Sequence, residues 1–176
     1  CSSLSGITIP NNVTRIGREA FAFSGLKEIT LPDSVTWLGA EAFYHCTKLE
    51  SANIGKGSIT ANEFVGCTRL KNVTIREGAT AIAAGMFWNC DSLEHIVIPK
   101  SVTRIDGSAF SGCSKLKSVT LSNQVVTIGS EAFDGCVSLV DINFDGTKAQ
   151  WEAISKDFAW GINPTKYTVH CTDGTI

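Results

Sequence analysis

One motif recurs about every 23 residues along most of this chain, and that recurrence constrains the fold more than any other feature. Phenylalanines stand at Phe21, Phe43, Phe64, Phe87, Phe110 and Phe133, with separations of 22, 21, 23, 23 and 23. The leucines Leu4, Leu26, Leu49, Leu70, Leu93, Leu116 and Leu139 step by 22, 23, 21, 23, 23 and 23. The cysteines Cys46, Cys67, Cys90, Cys113 and Cys136 step by 21, 23, 23 and 23. Three residue types drifting together mark a repeat array whose units stack on one another rather than folding alone.

The copy from Leu93 to Ser114 reads LEHIVIPKSVTRIDGSAFSGCS. It opens L-x-x-I-x-I, an alternation of period two that predicts a short strand with one face buried. Pro99 ends the strand, because it has no N–H for a ladder. V-x-x-I then predicts a second short extended piece. A Gly-containing turn leads to A-F-x-x-C, read as one tight helical turn, and the next Leu restarts the cycle. Each copy is too small to bury its own apolar face, so stacking must bury Leu, Ile, Phe and Cys in continuous columns.

The pattern L-x-x-I-x-L-P-x-S-V-T-x-I-G-x-x-A-F-x-x-C resembles the BspA-like leucine-rich-repeat family of bacterial and protist surface proteins. The copy LKEITLPDSVTWLGAEAFYHC, from Leu26 to Cys46, fits it almost throughout. The resemblance implies an α/β-type repeat solenoid. This is a right-handed coil with parallel strands on one face, and second short extended segments and short helical turns elsewhere. It also implies a cell-surface or secreted location and a role in protein recognition or adhesion, without catalysis or cofactor.

Two copies depart from the pattern. The copy from Leu49 is two residues short, since Ile54 to Phe64 is 10 steps where Leu31 to Phe43 is 12. It also lacks the Pro and the V-x-x-I pair, which predicts a tightened turn and a local change of curvature. The copy before Leu26 lacks one residue after Phe21, and Ser24 takes the Cys place. At the start, C-S-S-L is in phase with C-T-K-L at 46–49, so Cys1 reads as the last column of a repeat cut off upstream; lipidation of Cys1 is the other reading. The division expected is a solenoid over 1–144 and a C-terminal cap over 145–176. In the cap, Lys148–Ile154 should form a short helix with Trp151 and Ile154 inward, Asn163-Pro164 a turn, and Tyr167–Cys171 a final strand.

Charge and hydropathy exclude some roles. A net charge of −2 gives no electrostatic basis for binding nucleic acid. No apolar run is long enough to span a bilayer as a helix. The seven cysteines are odd in number and their spacing is that of the repeat, with no C-x-x-C. They are read as buried free thiols, because small buried cysteines behave as hydrophobes and zinc needs four converging ligands. No metal or catalytic residue is assigned. A Ser118, His95 and Asp141 set shares one outward column, but a flat sheet offers no oxyanion hole and no strained nucleophile turn. The N-x-T sequences at Asn12 and Asn72 fall in extended segments and are read as coincidence.

The outward positions of the strands are therefore the expected binding surface. One column runs Gly6, Glu28, Ser51, Asn72, His95, Ser118, Asp141, and its neighbour Thr8, Thr30, Asn53, Thr74, Val97, Thr120, Asn143. From these, Glu28, Thr30, Asn53, Asn72, Thr74, His95, Val97, Ser118, Thr120 and Asp141 are the candidate partner-binding residues. Beside them Lys27, Glu50, Lys71, Glu94 and Lys117 alternate in sign, which predicts a charge ladder that fixes register. Asn53 and Val97 break the threonine column that an ice-binding face would need. Trp37, Tyr44 and Trp88 form a candidate aromatic surface, or else lie flat over the turns as packing. The expected function is recognition of a protein or host-surface ligand; the alternative is a structural spacer with no ligand of its own.

Overall fold

The computed structural model of the chain describes residues 2–56, 61–161 and 167–176. The expectations for Cys1 and for a turn at Asn163-Pro164 lie outside these residues, as does part of the shortened third copy. The chain winds as a strand-based solenoid with three faces.

The first face carries the longer strands. Glu28–Thr30, Ser51–Ile54 and Asn72–Ile75 form one parallel sheet. His95–Val97, Ser118–Ser122, Asp141–Asp145 and Thr168–Cys171 form another, extended by the antiparallel strand Gly174–Thr175. Alternation does what it predicts: Ile29, Ala52, Ile96, Val119 and Ile142 are all buried.

The second face carries two-residue strands from the V-x-x-I motif. Arg15–Ile16 pairs with Trp37–Leu38, while Ala81–Ile82, Arg104–Ile105, Thr127–Ile128 and Ser155–Lys156 form a four-stranded ladder. The chain passes from the first face to the second through an i→i+3 turn. Val35 N–H donates to Pro32 C=O at 3.0 Å and Val102 N–H to Pro99 C=O at 3.1 Å. Proline ends the strand at that corner because it lacks the N–H that the next ladder bond needs; at the equivalent position Arg76 N–H donates to Ile54 C=O at 3.0 Å.

The third face holds A-F-x-x-C. The tight turn expected there is present, but it is not a helix. Its backbone enters the left-handed region twice per coil, as at Glu41 (φ 62) and His45 (φ 51), or Ser108 (φ 54) and Gly112 (φ 74). Alternate amides then point out of the coil. Phe43 N–H reaches Glu63 C=O at 2.9 Å and His45 N–H reaches Val65 C=O at 2.7 Å, while Tyr44 N–H turns back to Glu41 at 3.0 Å. A helix would keep all three bonds inside one coil. This backbone spends every second one on the next coil, so the third face is as firmly laddered as a sheet. Gly112→Ala should cost about 1–2 kcal/mol for the left-handed backbone, and its methyl would press on Asn89 Oδ1; urea melts measure it.

Behind this face the phenylalanines stack. From Phe21 to Phe133 successive ring centroids lie 5.3, 5.1, 5.8, 5.4 and 5.2 Å apart, with planes within 14° of parallel. Trp160 closes the stack edge-on, 6.3 Å from Phe133. The last residues follow the coil path although the sequence motif has ended. Glu131 N–H donates to Ala159 C=O at 3.0 Å and Phe133 N–H to Trp160 C=O at 3.0 Å. The helix Lys148–Ala153 is inserted in this final turn. It is started by a capping box between Thr147 and Gln150, and it turns Trp151 inward against Phe144.

Candidate functional site

The strand face brings the two outward columns into register. Glu28, Ser51 and Asn72 stand side by side, as do Thr30, Asn53 and Thr74. Further along, His95, Ser118, Asp141 and Thr168 align, as do Val97, Thr120, Asn143 and His170. Glu28, Thr30, Asn72, Thr74, His95 and Val97 are exposed, whereas Asn53, Ser118, Thr120 and Asp141 are half-buried. Asn53 Oδ1 is shielded from solvent and has no hydrogen-bond partner among the described residues. Gly6 and Thr8 lie outside any strand, so the columns begin at Glu28.

Two polar pairs cross the coils. His95 Nδ1 lies 2.7 Å from Ser118 Oγ, and His170 Nε2 lies 2.7 Å from Asp141 Oδ1. Asp141 thus orients His170, one coil beyond, rather than His95. The three residues Ser118, His95 and Asp141 share a face without forming a relay. His170 was not among the sequence candidates. Its signal was its place in the Asn143 column, visible only once the last strand is paired.

The alternating charge ladder closes at one step among the described residues. Lys117 Nζ meets Glu94 Oε2 at 2.6 Å, and this hydrogen bond and charge hold the Glu94 carboxyl below its usual range. Lys27, Glu50 and Lys71 make no such pair there. Lys117→Ala should cost under about 1 kcal/mol, since both partners are solvent-exposed; denaturant melts check it.

The strand face is open at two steps: in the first coil, where residues 5–8 form no strand and a recess of about 650 Å³ faces Lys27 and Glu28, and once between two strands. No ladder joins Asn72–Ile75 to His95–Val97. In four coils, at Lys27, Glu50, Glu94 and Lys117, the carbonyl after the column Leu accepts two amides from the next coil. Lys27 C=O receives Glu50 and Ser51 N–H at 2.7 and 3.4 Å, and Glu94 C=O receives Lys117 and Ser118 N–H at 2.7 and 3.3 Å. The matching bonds from Glu94 and His95 N–H to Lys71 C=O are missing. A groove of about 410 Å³ opens there, lined by Lys71, Asn72, Thr74, Ser92, Glu94 and His95. It continues into a second recess of about 340 Å³ toward Glu77 and Pro99. Val73 forms its floor. Val73 occupies the same column as buried Ile29, Ala52, Ile96, Val119 and Ile142, yet it is only half-buried.

The two other faces stay closed across the split. Phe87 N–H donates to Ala109 C=O at 2.8 Å, and Asp106 N–H to Ile82 C=O at 2.8 Å. The opening is therefore a wedge on one side, as a bend produces. The shortened copy lies one coil earlier.

The three candidate aromatics do not form one surface. Trp37 is half-buried on the second face, with the Arg15 guanidinium 4.5 Å over its ring. Tyr44 and Trp88 share the third face, with buried Val65 between them in the column. The strongest cluster includes a ring the sequence reading missed. Phe23, 59% exposed, meets Tyr44 at 5.5 Å and His45 at 5.6 Å. Phe23 takes the left-handed position that His45, Gly66, Asn89 and Gly112 fill in later coils.

Among the described residues no group of three or more His, Cys, Asp and Glu is placed to hold a metal ion, and no helix is long and apolar enough to cross a membrane.

Compared with known proteins, the chain matches the family described as BspA type leucine rich repeat region in 6 copies, over residues 1–90 and 56–156. A search of curated proteins finds no match. Among solved structures, a leucine-rich repeat protein from Bacteroides ovatus is 28% identical with a TM-score of 0.69, covering 94% of this chain and 48% of its own. The leucine rich repeat protein of T. pallidum is 29% identical with a TM-score of 0.64, covering 73% of this chain and 62% of its own. A leucine rich cell surface protein from Faecalibacterium prausnitzii, 24% identical with a TM-score of 0.56, covers 90% of this chain and 58% of its own, and shows the fold. The chain thus spans between about half and three-fifths of the length of these structures.

Proposed function

The chain belongs to the BspA-type leucine-rich-repeat family, and from that premise we propose that it is a non-catalytic recognition module of a cell-surface or secreted protein. Its ligand is a protein or host surface, and it meets that ligand through the strand face. The observation that carries this reading is the register of the outward columns. Side chains 23 residues apart in sequence are brought side by side, giving a broad polar array on a rigid stack. Solenoids use extended surfaces of this kind for binding. The split in the face, with its half-buried valine floor, adds a concave feature to that array, and concave sites are where ligands collect. A surface location is supported by the F. prausnitzii neighbour, which is described as a cell surface protein.

The test is capture from serum and host matrix proteins on the immobilised chain. We expect a retained protein that is lost when Glu28, Asn72, His95 and Asp141 are changed together to alanine. Binding that survives this change would move the interface off the strand face. If it then falls on loss of Phe23, Tyr44 and Trp88, the third face is the binding surface. No retained protein in any form would leave the chain as a spacer.

A further inference from the structure

We propose that the split between Asn72–Ile75 and His95–Val97 is a receptor groove for an extended polypeptide segment, bound main chain to main chain. The inference rests on the recognition reading above and names the class of ligand for one part of that face.

The groove is defined by backbone groups that have lost their usual partners. Lys71 C=O is an acceptor left open, and Glu94 and His95 N–H are donors left open, among the described residues. At Lys27, Glu50, Glu94 and Lys117 the equivalent groups bond to the next coil; the Ser5 carbonyl, in a coil without a strand, does not. A ligand that satisfies both sets must offer a donor and an acceptor at the spacing of one peptide unit, and an extended chain does so along its whole length; to admit it the two strands, whose Cα atoms approach within 8 Å, open to about 9.6 Å, two strand spacings. A carboxylate or phosphate would meet the amides but would face the Lys71 carbonyl with like polarity. The groove runs along the strands, so a bound segment would lie along them too.

Side chains select among extended segments. Val73 offers an apolar floor where a strand's inward side chain would fall. At the Lys71 end, the Glu94 carboxylate is already taken by Lys117 at 2.6 Å. The Lys71 ammonium has no ion-pair partner among the described residues, so it is left to meet an acidic side chain. At the other end Glu77 is not available as a ligand group. Its carboxylate accepts the N–H of Lys100 and of Ser101, both at 3.0 Å, which holds it below the usual carboxylate range. The groove therefore favours an extended segment alternating apolar and polar residues, with an acidic residue toward Lys71.

The test has two readouts on the full isotope-labelled chain. First, Glu94 and His95 amides should exchange with solvent at least about tenfold faster than Lys117 and Ser118, their counterparts one coil on. Equal protection would mean the strands are paired, and the proposal would fall. Second, the blocked peptide acetyl-Thr-Val-Glu-Val-Thr-amide should shift resonances of Lys71–Thr74 and Glu94–Val97, with a Kd on the order of 1 mM. The same peptide N-methylated at its central amides should lose that effect, and Thr74→Trp, a change on the exposed wall, should block it. Lys71→Ala should weaken binding several-fold for this peptide but not for its Gln analogue. No shift, or an equal shift from the N-methylated peptide, overturns the groove assignment. The recognition reading is judged separately by the strand-face alanine variant, so either can fail while the other stands.

Discussion

Phe110→Ala should remove about 3–5 kcal/mol of stability, the range for emptying a buried phenylalanine site. The ring has no solvent exposure. It lies 5.4 Å from Phe87 and 5.2 Å from Phe133 with planes 13° and 8° from parallel, the offset stacking that aromatic pairs prefer. Its removal therefore costs contacts on both sides as well as the transfer of the ring itself. The cavity is also unable to collapse readily. Phe110 N–H is bonded to Ala132 C=O at 2.8 Å, and Phe87 N–H to Ala109 C=O, so both neighbouring coils are pinned at fixed spacing. In a stack whose stability is a sum of neighbour terms, weakening two adjacent interfaces should also broaden the unfolding transition. Phe21→Ala is the comparison. That ring is half-buried and stacks on Phe43 alone, so its loss should be clearly smaller. Urea melts of the two variants decide the matter. A loss below about 1 kcal/mol at Phe110 would remove the phenylalanine column from the core.

The columns that predict this result were legible because they are periodic in residue type. Leu, Phe and Cys each need burial, and stacking requires each to recur at the same place in every coil. The third face was less legible. Its left-handed residues include Glu41, Ser108 and Glu131, which carry no glycine signature, so A-F-x-x-C read as a helical turn. What sets the conformation there is the inter-coil bond of every second amide, a property of two coils together. The final coil escaped for a similar reason. Trp160 does the work of a column phenylalanine edge-on, and the helix Lys148–Ala153 interrupts the spacing that would have announced it. The opening at Val73 was not legible, because Val73 reads as an ordinary inward residue of its column and its half-buried state depends on the missing ladder to the next coil. Of the site residues, the outward columns followed from period two alone. Phe23 and His170 did not, because their neighbours are set by packing between coils.

Raising the pH from 7 to 10 should destabilise the chain by about 2 kcal/mol for each deeply buried column thiol, about 6 kcal/mol for Cys67, Cys90 and Cys113 together. Burial pushes the Cys67 and Cys90 thiols well above their ordinary range, while at Cys113 the first cause is its hydrogen bond with Cys136, with burial second. In the unfolded chain the same thiols ionise near pH 8.5. Below that value both states hold the proton, and the full contribution to stability is present. Above it the unfolded state releases protons that the folded state keeps, so stability falls as pH rises, until the folded thiols themselves ionise. The physical reason is in the geometry of the column. Cys67 Sγ donates to Phe43 C=O at 3.3 Å, Cys90 to Phe64 at 3.3 Å, and Cys113 to Phe87 at 3.1 Å. Each of these carbonyls already accepts the amide three residues on, as Phe43 C=O does from Cys46 at 3.2 Å. A thiolate there would lose its donor bond and face a carbonyl oxygen in an apolar site. The column needs a side chain small enough for the stack, apolar enough to bury, and able to donate one weak bond; cysteine meets all three, and Ser24, buried in the first described place of the column, supplies the size and the bond. Urea melts from pH 7 to 10 under reducing conditions test this. The slope should shrink when Cys67, Cys90 and Cys113 are replaced by alanine, even though that variant is less stable at pH 7. An unchanged slope would assign the alkaline loss to other groups and leave the thiols as packing alone.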